Sequence, residues 1–150
     1  MTARIREVLT GDVEHVAVNC READRVELRL AYGKSPLEVL RESVELSGYA
    51  RTGTVDDVPV CMFGVVTVSP GVGRPWLIGT DAIDGLAMTF LRRNLAEVER
   101  MHEEHELLTN WVHENNTLAV NWLKWLGFKM LPEEGLGLEG SMFVKFERRR

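Results

Sequence analysis

The sequence predicts one α+β domain over residues 1–150, with about seven strands and about four helices. Stretches that alternate polar and apolar residues, or that are apolar throughout, are typical of strands. Between them lie segments in which apolar residues recur every three or four positions, as in an amphipathic helix. A chain of this length buries roughly two thirds of its unfolded surface, which is enough for one core.

The first third of the chain predicts a strand and two helices. Residues 4–9 alternate polar and apolar side chains, and an inward-facing helical stripe then extends over residues 13–30. Gly33 ends that stripe. Ser35-Pro36-Leu37-Glu38 is a capping box with proline at the first helical position, so a second helix should begin there and end near Gly48.

A hairpin and a further strand are predicted next. Residues 49–55 and 58–68 have strand patterns and are separated by Asp56-Asp57, which favours a tight turn. The second strand is apolar on both faces, so we expect it in the middle of the sheet. Residues 69–75 contain several turn formers and predict a surface loop, and residues 76–80 a short fourth strand.

The second half alternates helices and strands. The predicted elements are a long amphipathic helix at about 84–104, a strand at 107–112, a helix that begins at Asn116, a strand at 128–131, an acidic and Gly-rich turn at 132–140 and a last strand at 141–146.

The helix that follows Asn116 has the clearest boundaries. Asn116 suits an N-cap, because its side-chain oxygen can accept a hydrogen bond from an otherwise unpaired helix amide. Gly127 suits the residue in left-handed conformation after the last turn. The apolar stripe between them consists of Ala119, Trp122, Leu123 and Leu126.

This motif and the order of elements resemble the Gcn5-related N-acetyltransferase (GNAT) superfamily over essentially the whole chain. The resemblance implies a central mixed, mostly antiparallel sheet and acetyl-CoA as cofactor. Within the superfamily, W-L-I-G-T-D-A-I and the segment from Leu107 to Phe128 are most similar to a phage group. That group includes the internal virion protein A of short-tailed bacteriophages.

The resemblance also implies a set of cofactor-binding residues. The backbone amides of Ile78 and Gly79 would bind pantetheine, the turn from Thr80 to Gly85 would bind pyrophosphate, and Asn116 would lie near the CoA chain. Amides at a helix N-terminus suit a pyrophosphate because the helix dipole is positive there.

The sequence departs from the superfamily pattern in three respects. Leu123 stands where a tyrosine usually protonates the CoA thiolate. The phosphate turn contains two carboxylates, Asp81 and Asp84, and only Gly85 and Ala87 match the superfamily pattern for this turn. We expect Asp81 or Asp84 to cap the long helix. No clear general base is present; His113 and Glu114, at the end of the fifth strand, are the candidates.

Two function classes follow from these features. The first is a phage virion or assembly component with a degenerate acetyltransferase site, whose partners are other virion proteins. The alternative is an active acetyl-CoA-dependent N-acetyltransferase that acts on an unknown amine. A third possibility is a regulator that binds acyl-CoA without turnover.

Composition argues against several other classes. The net charge of -5 gives no strong nucleic-acid signal, and the basic tail, Arg148 to Arg150, predicts a solvated terminus. Cys20 and Cys61 predict reduced core thiols. Neither a signal peptide nor a membrane span is indicated, so we expect a cytoplasmic protein, present in a host cytoplasm and, in the virion role, also in a virion.

Two remaining features have plain structural interpretations. His102 and His105 are three residues apart rather than the four of a zincin motif, so no metal is expected and a solvated last helical turn is predicted. The four tryptophans predict core or interface anchors, and one exposed on the last helix would indicate a partner surface.

Overall fold

The computed structural model describes the backbone of residues 1–150 and every side chain except those of Ala87 and Met88. The strands are β1 (Ala3–Glu7), β2 (Tyr49–Val55), β3 (Val58–Ser69), β4 (Val72–Gly79), β5 (Leu107–His113), β6 (Lys129–Leu136) and β7 (Met142–Arg149). The α-helices are α1 (Asp12–Val18), α2 (Glu22–Tyr32), α3 (Pro36–Leu46), α4 (Ala87–Met101) and α5 (Thr117–Trp125). Two 3-10 helices lie at Asp81–Leu86 and Leu138–Gly140.

All seven strands form one sheet in the order β1-β2-β3-β4-β5-β7-β6. Every neighbouring pair is antiparallel except β4 and β5, which are parallel. The predicted mixed, mostly antiparallel sheet flanked by helices is therefore confirmed.

The parallel pair is short. β4 and β5 are paired only at Val72–Leu107 and Gly73–Leu108, although β4 continues to Gly79 and β5 to His113. Beyond this pairing the two strands separate, and a gap opens in the middle of the sheet.

Helices cover both faces of the sheet. One cluster joins α1, α2 and α3 to the sheet through residues that include Val16, Leu28, Leu40, Met62 and Ile78. The other joins α4 and α5 to the opposite face through residues that include Phe63, Phe90, Val98, Val112 and Trp122. The predicted central position of β3 is confirmed, because Met62 enters the first cluster whereas Cys61, Phe63 and Val65 enter the second. Val60, predicted to point the same way as Met62, instead joins the second cluster, beside a register shift in the pairing with β2.

Several local predictions are confirmed. Ser35 and Glu38 form the reciprocal hydrogen bonds of a capping box at the start of α3. Asp56 and Asp57 adopt φ values of 49° and 65°, as the tight turn between β2 and β3 requires. Gly127 has a φ of 90° just after α5.

The predicted first helix over 13–30 is wrong, because the structure breaks it into α1 and α2. At the break, Cys20 forms an antiparallel bridge with Thr80, and the Arg21 amide donates to the Gly79 carbonyl over 2.9 Å. Pairing with the end of β4 thus takes backbone groups that a continuous helix would use internally.

Other element boundaries also differ from the sequence prediction. The long helix begins later, at Ala87, after a 3-10 turn, and β4 begins earlier because residues 72–75 pair with β3. β6 extends through the predicted turn to Leu136, with an irregularity between Met130 and Glu134.

The basic tail and the histidine pair are both better ordered than predicted. Arg148 and Arg149 belong to β7, Arg148 bonds Glu99, and the Arg150 guanidinium donates to the His102 carbonyl over 2.8 Å. His102 and His105 are buried rather than solvated. The His105 Nδ1 pairs with the Met101 carbonyl at the end of α4, and the His102 Nδ1 pairs with the carbonyl of His105, each over 2.8 Å. The Met101 carbonyl, which the end of α4 leaves without a helical partner, thereby gains one.

Across the described residues, no helix is long and apolar enough to cross a membrane. The described side chains also include no cluster of three or more potential metal ligands.

Candidate active site in the cleft between β4 and β5

The gap between the two parallel strands opens into a cavity of about 530 Å³. Its lining includes Leu28 and Val39 from the α2–α3 side and Val98 and Trp122 from the α4–α5 side. At the point where the strands separate, the Asn110 side-chain amide donates to the Pro75 carbonyl over 2.9 Å. The cavity therefore passes through the sheet and can be reached from both helical layers.

Glu27 places a carboxylate in this cleft. Its Oε1 accepts the backbone N–H of His113 at 2.7 Å and is 3.4 Å from the Asn116 side-chain amide nitrogen. No described cation forms a salt bridge with it. Burial raises the pKa of Glu27 to about 7, and the nearby Asp24 carboxylate adds to the rise against the opposing hydrogen bonds from His113 and Asn116.

A second carboxylate, Asp24, lies one helical turn earlier on the same face of α2. Its Oδ1 accepts from Arg21 at 2.9 Å and from Asn116 at 3.0 Å, while its Oδ2 accepts the Gly79 amide at 2.9 Å. Burial raises the pKa of Asp24, against these hydrogen bonds and the Arg21 charge, which lower it. Asp24 thus joins α2 to the end of β4 and to the start of α5.

Asn116 holds the predicted position but has a different role. It precedes α5 as the N-cap residue, yet its side chain makes no capping bond. The side-chain amide nitrogen instead donates to the Asp24 and Glu27 carboxylates, and these charge-assisted bonds hold the side chain in an orientation in which its Oδ1 does not cap the helix. Its Oδ1 is buried and has no hydrogen-bond partner among the described residues.

The predicted phosphate turn forms the 3-10 helix from Asp81 to Leu86. The predicted aspartate cap is wrong, since Leu86 is the N-cap of α4 and no side chain caps it. Asp84 instead accepts a hydrogen bond from the Arg21 Nε at 2.9 Å. Gly85 is exposed, and nothing would contact a Cβ added there. The Ala87 side chain lies outside the described residues.

The other predicted cofactor-binding residues lie at the end of β4. Ile78 is buried against the α1–α3 layer, and the Thr80 amide pairs with Val60. The Gly79 amide already donates to Asp24. Because Asn110 of β5 binds the Pro75 carbonyl, the part of the β4 edge that remains without a partner on the β5 side is residues 76–78.

The two predicted base candidates are placed differently from each other. The His113 ring is buried, with its centroid 5.3 Å from that of Phe143. Glu114 is exposed in the turn before α5. His113 reaches the cleft through its backbone N–H, which binds Glu27.

Sequence reasoning missed Glu27 because helical charges most often lie on the solvated face. One signal was available: Asp24 and Glu27 are three residues apart and adjoin Leu28, an inward position of the same helix. Two carboxylates on the buried side of an amphipathic helix are unusual enough to indicate a site.

On the α4–α5 side, Leu123 lines the cavity at the position where the resemblance implies a tyrosine. Three other buried polar atoms of cavity-lining residues, Asn94 Oδ1, Glu97 Oε2 and Trp122 Nε1, have no hydrogen-bond partner among the described residues. This wall of the cleft can therefore bind a polar ligand.

Comparison with known proteins shows the fold. No protein-family model and no curated protein sequence matches the chain. Among solved structures, it is similar to the ribosomal-protein-alanine N-acetyltransferase of Brucella melitensis, with a TM-score of 0.74, 13% identity and coverage of 98% of this chain and 99% of that one.

Two further structures show the same likeness. The PaiA N-acetyltransferase of Thermoplasma acidophilum, in complex with coenzyme A, has a TM-score of 0.69, 15% identity and full coverage of both chains (100% and 100%). A GCN5-related N-acetyltransferase of Kribbella flavida has a TM-score of 0.69, 15% identity and coverage of 99% of this chain and 98% of that one. The fold of the protein is the GNAT fold.

Proposed function

We propose that the protein is an acetyl-CoA-dependent N-acetyltransferase in which Glu27 is the general base. One observation carries this proposal. The Glu27 carboxylate has no cationic partner among the described residues, has a pKa of about 7, and lies where the cleft passes through the sheet. A carboxylate whose pKa is near neutrality can accept a proton from a bound amine at physiological pH.

The cleft suits the elongated arm of an acyl-CoA. Acetyl-CoA would supply an acetyl group activated as a thioester, and a solved structure of this fold contains coenzyme A. Residues 76–78 provide a strand edge with no partner on the β5 side, and Asn116 has a free buried carbonyl oxygen. Both features can hydrogen-bond to the amide groups of a pantetheine chain.

The pyrophosphate would lie at the turn that contains Gly85. Arg21 pairs there with Asp84, but it also pairs with Asp24, so it offsets only part of the negative charge of the turn. Asp81 remains exposed in the same turn. We therefore expect binding that is weaker than a turn with its own arginine would give.

Protons are handled by a small group of residues. The His113 N–H and the Asn116 amide orient the Glu27 carboxylate, and Arg21 compensates Asp24, so that Glu27 is the uncompensated acceptor of the pair. During transfer the amine nitrogen forms the new C–N bond, the C–S bond breaks, and the amine proton passes to Glu27. Because Leu123 has no proton to donate, water protonates the released thiolate.

A virion or assembly role is the second candidate. Trp125 on α5 is 46% exposed, which fits the expectation that an exposed tryptophan on the last helix would bind another protein. Leu123 fits a site without a thiolate donor. None of the solved structures named above is a phage protein.

Isothermal titration with acetyl-CoA, followed by a thiol-release assay with a mixture of primary amines, tests the proposal. We expect micromolar binding and amine-dependent release of CoA that is lost in Glu27→Gln. Absence of acetyl-CoA binding would overturn the enzyme proposal and favour the assembly role. Binding without release from any amine would favour the acyl-CoA regulator.

A further inference from the structure

On the α2–α3 side, the cleft continues into a groove with an apolar and aromatic lining. Its main members are Leu28, Tyr32, Leu46, Trp76, Trp111 and Leu136. Tyr32, Leu46, Trp111 and Leu136 are exposed, so this surface is open along its length. Exposed apolar surface of this kind, next to the half-buried carboxylate of Glu27, is typical of a ligand site.

Two tryptophans form the floor of the groove. Trp111 lies on the face of β5 opposite Leu108 and Val112, which point into the α4–α5 core, and it is 39% exposed. It packs over Gly135, where an added Cβ would be 3.1 Å from the ring. Trp76 is held by a hydrogen bond of 2.8 Å from its Nε1 to Ser47. Both indoles are thus fixed before any ligand binds.

The charges along the groove differ between its two ends. Glu27 is the uncompensated carboxylate at the inner end, whereas Glu42 on the α3 wall is neutralised by Lys34 at 2.9 Å. At the outer end lies Arg74, about 16 Å along β4 from Gly79 and in no salt bridge with a described residue. Lys145 is also there, 5.7 Å from the Trp111 ring centroid, but it is paired with Glu133 at 3.4 Å. The groove therefore offers one site for an ammonium group and has cations at its outer end.

We infer that the acyl acceptor is a primary monoamine on an apolar, ring-containing body, with the amine at Glu27 and the ring on the Trp76–Trp111 floor. This inference rests on the proposed function. A polyamine is disfavoured, because its second ammonium would lie near Arg74, and the carboxylates at that end and on the α3 wall, Glu133 and Glu42, are already paired with lysines.

A comparison of acceptors tests the inference. With acetyl-CoA held constant, thiol release is measured for 2-phenylethylamine, tryptamine and spermidine. We expect kcat/KM to be at least tenfold higher for the two aromatic monoamines than for spermidine. Equal or higher kcat/KM for spermidine would overturn the substrate class and leave the proposed function intact. Failure of acetyl-CoA to bind would instead overturn the proposed function.

Matched tryptophan variants test the placement of the ring. Trp111→Ala should raise the KM for 2-phenylethylamine about tenfold and leave the Kd for acetyl-CoA within twofold, and Trp111→Phe should restore most of the loss. Trp125→Ala, on the opposite face of the sheet, should change neither the KM for 2-phenylethylamine nor the Kd for acetyl-CoA. An unchanged KM in Trp111→Ala, or the same rise in Trp125→Ala, contradicts the placement. If acetyl-CoA binds but no amine turns over, binding of 2-phenylethylamine is measured by calorimetry. Absence of that binding would also contradict the placement of the ring.

Discussion

The backbone N–H of His113, at the end of β5, donates a hydrogen bond of 2.7 Å to the carboxylate of Glu27 on α2. The two residues are 86 positions apart in the chain. Their contact fixes a carboxylate in the gap that β4 and β5 leave when they separate. The position of the proposed base therefore depends on the divergence of two parallel strands.

Glu27 should make folding stability depend on pH. Its pKa is raised from 4.5 to about 7 in the folded protein, so the folded state holds the proton more tightly than the unfolded state does. The resulting stability is complete below about pH 4.5 and is lost as the pH rises through about 7. In Glu27→Gln, which carries no charge, this loss should be absent.

Thermal unfolding at several pH values measures this effect. The Tm of Glu27→Gln should exceed that of the wild type by an amount that grows between pH 5 and pH 8. A Tm difference that is constant across this range would show that the carboxylate does not titrate there.

The pyrophosphate turn can be tested with a pair of glycines. Neither Gly85 nor Gly48 has a positive φ, and an added Cβ would contact nothing at either position. Gly85→Asp should raise the Kd for acetyl-CoA about three- to tenfold, because it adds a negative charge beside the proposed phosphates. Gly48→Asp adds the same charge between α3 and β2 and should change the Kd less than twofold. Equal effects of the two substitutions would contradict the placement.

Leu123 tests the proposed route of thiolate protonation. Leu123→Tyr should raise kcat about tenfold, because it adds a hydroxyl that can protonate the thiolate. The gain should be smaller than that from an evolved general acid, since the surrounding wall is packed around a leucine. Leu123→Phe has the same ring without the hydroxyl and should not raise kcat. An increase in both variants would indicate a packing effect.

A buried ion pair far from the cleft should control stability rather than activity. Asp12 accepts hydrogen bonds from Arg6, from the Leu9 amide and from the Thr52 hydroxyl, each at 2.8 Å. Although burial raises the pKa of Asp12, these bonds lower it by more, so its contribution is present above about pH 4 and is lost at lower pH.

Urea unfolding at pH 7 should show the size of this contribution. Asp12→Ala should cost about 3 kcal/mol, because it leaves the Arg6 charge and two donors unpaired. Glu14→Ala, which removes an exposed 3.7 Å pair with Arg41, should cost less than about 1 kcal/mol. Similar costs for the two variants would contradict this account of Asp12.

Locally determined features were predictable from the sequence. The capping box of Ser35 and Glu38, the aspartate turn at residues 56–57 and the left-handed Gly127 each depend on a few neighbouring residues. The order of elements then sufficed to predict the fold class. These predictions depend on turn and cap chemistry that acts within one or two turns of chain.

The candidate site depends on contacts between distant residues and could not be predicted in the same way. Asn116 has a good capping sequence, yet Asp24 and Glu27 from α2 take its amide. Asp84 likewise pairs with Arg21, 63 residues away, instead of capping a helix. In both cases a charge-assisted hydrogen bond made possible by tertiary packing holds the side chain where it does not cap a helix.

The pH dependence of kcat/KM for acetyl transfer, measured for the wild type and for Glu27→Gln, tests the central claim most directly. We expect the wild-type value to rise with pH through an apparent pKa near 7, as Glu27 loses its proton. Glu27→Gln should bind acetyl-CoA within twofold of the wild type, lose this ionisation and turn over about a hundredfold more slowly. A variant that retains the wild-type rate and pH profile would contradict the assignment of Glu27 as the base.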